Sequence, residues 1–126
     1  MKLSVLVTAA AGLISSTAAL GINCRGSGFC SLGASGNLIN LKALVDEISP
    51  RNRHYSTGEQ IACSGDICAF FQKGASGSAE EASALLQKLR NHGCKKCGSV
   101  PTGSGNNVDN GELTVNYVSS PCSGIC

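Results

Sequence analysis

All eight cysteines of this 126-residue chain lie beyond residue 23, at Cys24, Cys30, Cys63, Cys68, Cys94, Cys97, Cys122 and Cys126. What they can do depends on the compartment, and the first residues address that. The chain opens MKLSVLVTAAAGLISSTAALG. Lys2 is a short positive start, residues 3–14 are an uncharged apolar run, and residues 15–19 are small or polar. Thr17 and Ala19 occupy the small-residue positions before a cleavage point, so a secretory signal peptide over residues 1–19 is expected, cut between Ala19 and Leu20. The apolar run is shorter than the roughly 20 residues a bilayer span needs, and no later segment could span. A secreted, extracellular protein over residues 20–126 follows, with no stable membrane insertion.

An even cysteine count in a small secreted chain reads as a disulfide framework. The stretch NHGCKKCG, residues 91–98, raises two rivals. A redox dithiol belongs in a thioredoxin-like frame, and no such frame is visible. Zinc fits the Cys94-x-x-Cys97 spacing, but no second C-x-x-C follows, so no metal is expected. A bond between Cys94 and Cys97 would close a strained, reducible ring. Each is therefore expected to reach a distant partner. Eight cysteines allow on the order of a hundred connectivities, among which the pattern alone does not choose.

With no Trp, two Tyr and three Phe, the core must be mostly aliphatic. Ten basic residues stand against eight acidic; loss of Lys2 leaves nine against eight, a net charge near +1. That balance lacks the clustered basic footprint of a nucleic-acid binder. A single monomeric domain is expected, small enough for disulfides to supply much of its stability.

Residues 21–24 are apolar-leaning and read as a first strand, and residues 25–36 as a Gly/Ser-rich loop. Asn37 can cap a helix whose apolar face is Leu38, Leu41, Leu44, Val45 and Ile48, ended by Pro50. Residues 51–58 form a polar loop. Residues 59–64 and 67–73 read as short strands broken at Ser64-Gly65-Asp66. Ser78 with Glu81 makes a capping box for a second helix with Ala82, Leu85, Leu86 and Leu89 buried and Gly93 just past its end. Residues 98–107 read as loop and Asn110-Gly111 as a turn. ELTVNYV, residues 112–118, alternates Leu113, Val115 and Tyr117 against Thr114, Asn116 and Val118, the best strand in the chain. These elements give an α+β fold, a small two-layer sandwich with two main helices packed on an antiparallel sheet.

A hydrolase would need positioned acid–base groups. The candidates are His54, His92, Glu59, Asp66, Asp109 and Glu112, but the pattern supplies neither a second catalytic histidine nor a basic cleft. No enzyme, no catalytic residue and no cofactor are expected.

LGINCRGS at residues 20–27, NHGCKKCGS at 91–99 and GNNVDNGELTVNYV at 105–118 are together similar to the secreted fungal killer toxins of the smut-virus type, the "killer protein four" family. The resemblance spans nearly all of residues 20–126 and is thinnest over 42–83. It implies an antiparallel sheet with antiparallel helices on one face. It implies bridges from Cys24 to Cys94, Cys30 to Cys97 and Cys63 to Cys122, which leaves Cys68 and Cys126, without family counterparts, to pair with each other. It also implies non-enzymatic growth inhibition by blockade of voltage-gated calcium channels. The family type carries a further cysteine pair: one member matches Ser83, and the other matches the end of the first helix near Glu47. The family lysine tied to activity matches Ile61. Remaining candidates for target contact are Arg51, Arg53, Lys73, Lys95 and Lys96, presented as point charges to a channel or another cell-surface protein. The alternative reading is a secreted effector directed at a host or competitor through a different surface protein.

Overall fold

Caps and apolar stripes decide where the helices form. The computed structural model describes residues 20–126, so the expected signal peptide lies outside the described residues. Helix α1, Leu38–Asp46, starts where the Asn37 side chain accepts from the Asn40 amide, and it buries Leu38, Leu41 and Val45. It stops short of Pro50; Ile48 stays in the core through a turn in which its amide bonds the Val45 carbonyl. Helix α2, Ala79–Asn91, carries both halves of the capping box: the Glu81 amide donates to Ser78 Oγ at 3.1 Å, and the Ser78 amide to Glu81 Oε1 at 2.7 Å. Glu80 and Glu81 in the first turn, and Lys88 and Arg90 in the last, both complement the helix dipole.

The strands are β1 (His54–Tyr55), β2 (Ala62–Ser64), β3 (Ile67–Gln72), β4 (Gly77–Ser78), β5 (Gly98–Pro101), β6 (Glu112–Tyr117) and β7 (Gly124–Ile125). Five form an antiparallel sheet in the order β5-β6-β3-β2-β7, while β1 and β4 form a separate ribbon. Directly paired residues point to the same face. The pairs Ala62↔Ala69, Ala69↔Val115, Phe71↔Leu113 and Val100↔Leu113 therefore build one apolar row. Both helices pack on that row, and Leu38, Leu41, Leu86 and Leu89 are fully buried against it. The architecture is the expected small disulfide-rich α+β fold.

Three local expectations differ. The N-terminal segment is no strand: it makes one bridge, Asn23 to Ser99, along the outer edge of β5. Residues 98–101 are a strand despite Gly98 and Pro101, because an edge position tolerates a residue without an amide proton. Residues 54–55, inside the expected polar loop, pair with 77–78 as the ribbon β1-β4, whereas Asn110-Gly111 forms its expected turn at the end of a short 3-10 segment, with Gly111 at φ 123°.

The disulfides divide into two pairs of different kind. Cys24 bonds Cys94 and Cys30 bonds Cys97, over sequence separations of 70 and 67 residues. The implied Cys63–Cys122 and Cys68–Cys126 pairing is not what the structure contains: Cys63 bonds Cys68, and Cys122 bonds Cys126. Sheet register explains this. Cys63 stands directly opposite Cys68, with the Cα atoms 4.1 Å apart, on the face away from the helices. Gly124 of β7 also stands opposite Cys63, and the period of two puts Cys122 and Cys126 on that same face. Four sulfurs thus share one patch, where Cys63 Sγ and Cys126 Sγ are 4.0 Å apart, and each bonds its near neighbour along the chain.

Candidate functional site

The turn that carries Lys95 and Lys96 is built at the end of α2. The Gly93 amide bonds the Arg90 carbonyl and the Cys94 amide bonds the Leu89 carbonyl, the paired closure of a Schellman motif. Gly93 sits at φ 100°, the left-handed position that motif requires. This fixes the direction in which the chain leaves the helix. Cys94 and Cys97 then turn inward and are both buried, held to Cys24 and Cys30 at Cα separations of 5.2 and 6.2 Å. The N-terminal loop lies so close that a side chain at Gly26 would meet Cys97 Cβ at 2.7 Å. Asn116 of β6 completes the clamp by accepting from the Ser27 amide at 2.9 Å.

Between the two staples Lys95 faces outward and Lys96 lies half-buried along the N-terminal loop. Lys95 is exposed; its carbonyl accepts from the Leu38 amide at 2.9 Å, which ties the turn to the start of α1. Lys96 Nζ donates to the Ala34 carbonyl at 2.8 Å. A groove of about 430 Å³ runs alongside, lined by both bridges, Ser31 and the two lysines. Among the described residues, neither lysine is in an ion pair; the pairs present are Lys42–Asp46 and Lys73–Asp109.

The other candidate cations lie elsewhere and are occupied. The loop with Arg51 and Arg53 is pinned at the opposite end of α2, where its carbonyls accept from the Glu80 and Ala79 amides. A 13-residue helix is about 20 Å long, so the two groups sit at separate poles. Arg51 donates to the Val45 carbonyl at the end of α1 at 2.7 Å, and the Arg53 guanidinium lies over the Tyr55 ring at 5.1 Å. Lys73 faces Asp109 at 3.9 Å. The structure brings together Lys95 and Lys96, and leaves Arg51, Arg53 and Lys73 apart from them.

The acid–base candidates do not converge either. Glu59 accepts from the Ser56 amide, closing its own turn, and Asp66 accepts from Ser35. Glu112 is buried in β6, and His92 is the C-cap of α2.

Comparison with known proteins places this geometry. A family model described as Kp4 matches residues 6–119. The chain belongs to the Kp4 family. It is similar to the KP4 killer toxin of Ustilago maydis P4 virus, 38% identical over 116 residues, covering 88% of this chain and 90% of that protein.

The structure locates the two positions, Ile61 and Ser83, at which the resemblance implies a departure from the Kp4 type. Ile61 is fully buried, its amide bonded to the Ala69 carbonyl and its own carbonyl to the Cys126 amide, so that position presents nothing to a partner. Ser83, also buried, donates from its hydroxyl to the Asp46 carboxylate and so links α2 to α1 by a polar bridge. Lys42 holds the same carboxylate at 2.8 Å. Burial alone would raise the Asp46 pKa; the hydrogen bonds from Lys42 and Ser83, with the charges of Lys42 and Arg51, outweigh it and hold the carboxyl below its ordinary value. Sequence reasoning identified Ser83 as a departure but missed Asp46, because a helix-to-helix hydrogen bond leaves no local pattern.

Proposed function

We propose that this Kp4 protein is a secreted killer toxin that arrests target cells by binding a surface protein, without an enzymatic step. The family match across most of the chain, with a killer toxin among its relatives, carries this reading. Its target is a calcium channel of the susceptible cell, a competing fungus or a plant host, and its contact surface is the stapled Lys95–Lys96 turn. The turn suits that task physically. Two disulfides and a helix-end motif fix its backbone before binding, so little ordering entropy remains to be lost on contact. Its lysines supply compact positive charges for an acidic vestibule.

The test is growth of fungal cells and seedling roots exposed to the oxidised protein, with and without extra calcium. Inhibition relieved by calcium is expected. Inhibition indifferent to calcium would remove the channel and leave a toxin with another surface target. Substrate turnover by substoichiometric protein would overturn the non-enzymatic reading.

A further inference from the structure

The stapled pole carries more than two lysines. Residues 20–45 and 87–108 contain no Asp or Glu, yet hold Arg25, Lys42, Lys88, Arg90, Lys95 and Lys96, six of the nine basic residues described. The disulfides and the Asn23–Ser99 bridge bring these segments together. Lys42 is taken up by Asp46, and Asp66 borders the patch through Ser35. The remaining cations make no ion pair among the described residues.

The same segments expose apolar side chains. Five large hydrophobic residues are exposed among those described, and four fall within residues 20–39: Leu20, Phe29, Leu32 and Ile39. Leu32 is 74% exposed, Ile39 58% and Phe29 57%. Single exposed hydrophobics need no explanation, but this clustering along the N-terminal loop and the first turn of α1 does. The loop borders the lysine turn: Lys96 reaches the Ala34 carbonyl, and Lys95 holds Leu38, the residue before Ile39. Phe29 is braced rather than loose, its ring 5.0 Å from that of Tyr117.

We infer that this face docks peripherally on an anionic lipid surface. Phe29, Leu32 and Ile39 enter the interfacial zone, while Arg25, Lys95 and Lys96 meet the headgroups. Protruding apolar groups beside the lysine turn, with no carboxylate in their own segments, match the charge and depth profile of that boundary. Docking would hold the protein at the membrane in which a channel target lies, but it stands without the channel reading, since lipid alone suffices to test it.

The experiment is co-sedimentation of the oxidised protein with calcium-free vesicles, either zwitterionic or containing a third anionic phospholipid, at low and physiological salt. Binding to the anionic vesicles that weakens with salt is expected. Leu32→Ser should lower the partition coefficient about tenfold, as for keeping one apolar side chain in water. The Lys95→Gln, Lys96→Gln double variant should lower it by about tenfold or more. Ile125→Ser, on the opposite edge strand, should change it by less than about twofold. These positions are exposed except for Lys96, which is half-buried, so circular dichroism confirms that each variant folds. No binding to any vesicle, equal binding to both compositions, or equal loss in Ile125→Ser would overturn the proposal. The first of these would hand the patch to an acidic protein partner and leave the calcium experiment unaffected.

Discussion

The two pairs of disulfides in this protein serve different ends. Cys24–Cys94 and Cys30–Cys97 close loops spanning 70 and 67 residues and join the start of the chain to the end of α2. Cys63–Cys68 and Cys122–Cys126 close loops spanning 5 and 4 residues, on the face away from the helices. Loop-closure entropy grows only logarithmically with length, so the chain-entropy model assigns about 4 kcal/mol to a first long bridge and about 2 kcal/mol to a short one. The long bridges define a surface that the backbone alone could not hold. The short ones reinforce a hairpin and a tail that the sheet already aligns.

The sharpest way to break this comparison is to remove one bridge of each kind. Because Cys30–Cys97 still closes nearly the same loop, Cys24→Ser with Cys94→Ser should lower unfolding stability by only about 2–3 kcal/mol, read from denaturant midpoints, but should free the N-terminal loop in hydrogen exchange. Cys122→Ser with Cys126→Ser should cost about 2 kcal/mol and leave the N-terminal loop protected in hydrogen exchange. An N-terminal loop that stays equally protected in both variants would erase the distinction.

A smaller effect is expected between the helices, where a polar bridge does the joining. Ser83→Ala should cost about 1 kcal/mol at neutral pH, in denaturant unfolding. The Asp46 pKa is depressed by folding, so its contribution is present above the ordinary carboxyl value of 3.8 and is lost as pH falls through the lower folded value. The gap between Ser83→Ala and the parent should therefore narrow below about pH 4. The half-exposed carboxylate keeps this effect modest.

The sequence foretold what local chemistry determines. Asn37, the Ser78–Glu81 box and Gly93 marked three helix ends, and each cap forms as its residues dictate. The apolar alternation of residues 112–118 marked β6. What long-range pairing determines was hidden. Gly98–Pro101 becomes a strand because β6 and Asn23 flank it, not because its residues favour extension. His54–Tyr55 and Gly77–Ser78 pair only because the chain folds back on itself there. The bonding of Cys63 to Cys68 follows from a hairpin register invisible in the cysteine spacing. At the candidate site, the lysines of CKKC were legible but their advantage over Arg51, Arg53 and Lys73 was not. That advantage lies in the rigid, twice-stapled turn that presents Lys95 and Lys96 side by side.

The most direct measurement compares the poles of α2 in one growth-inhibition assay: Lys95→Gln with Lys96→Gln against Arg51→Gln with Arg53→Gln. The stapled-turn variant should lose about tenfold or more in potency, and the arginine variant less than about twofold. Full potency in the first with loss in the second would contradict the assignment of the stapled turn as the surface that meets the target.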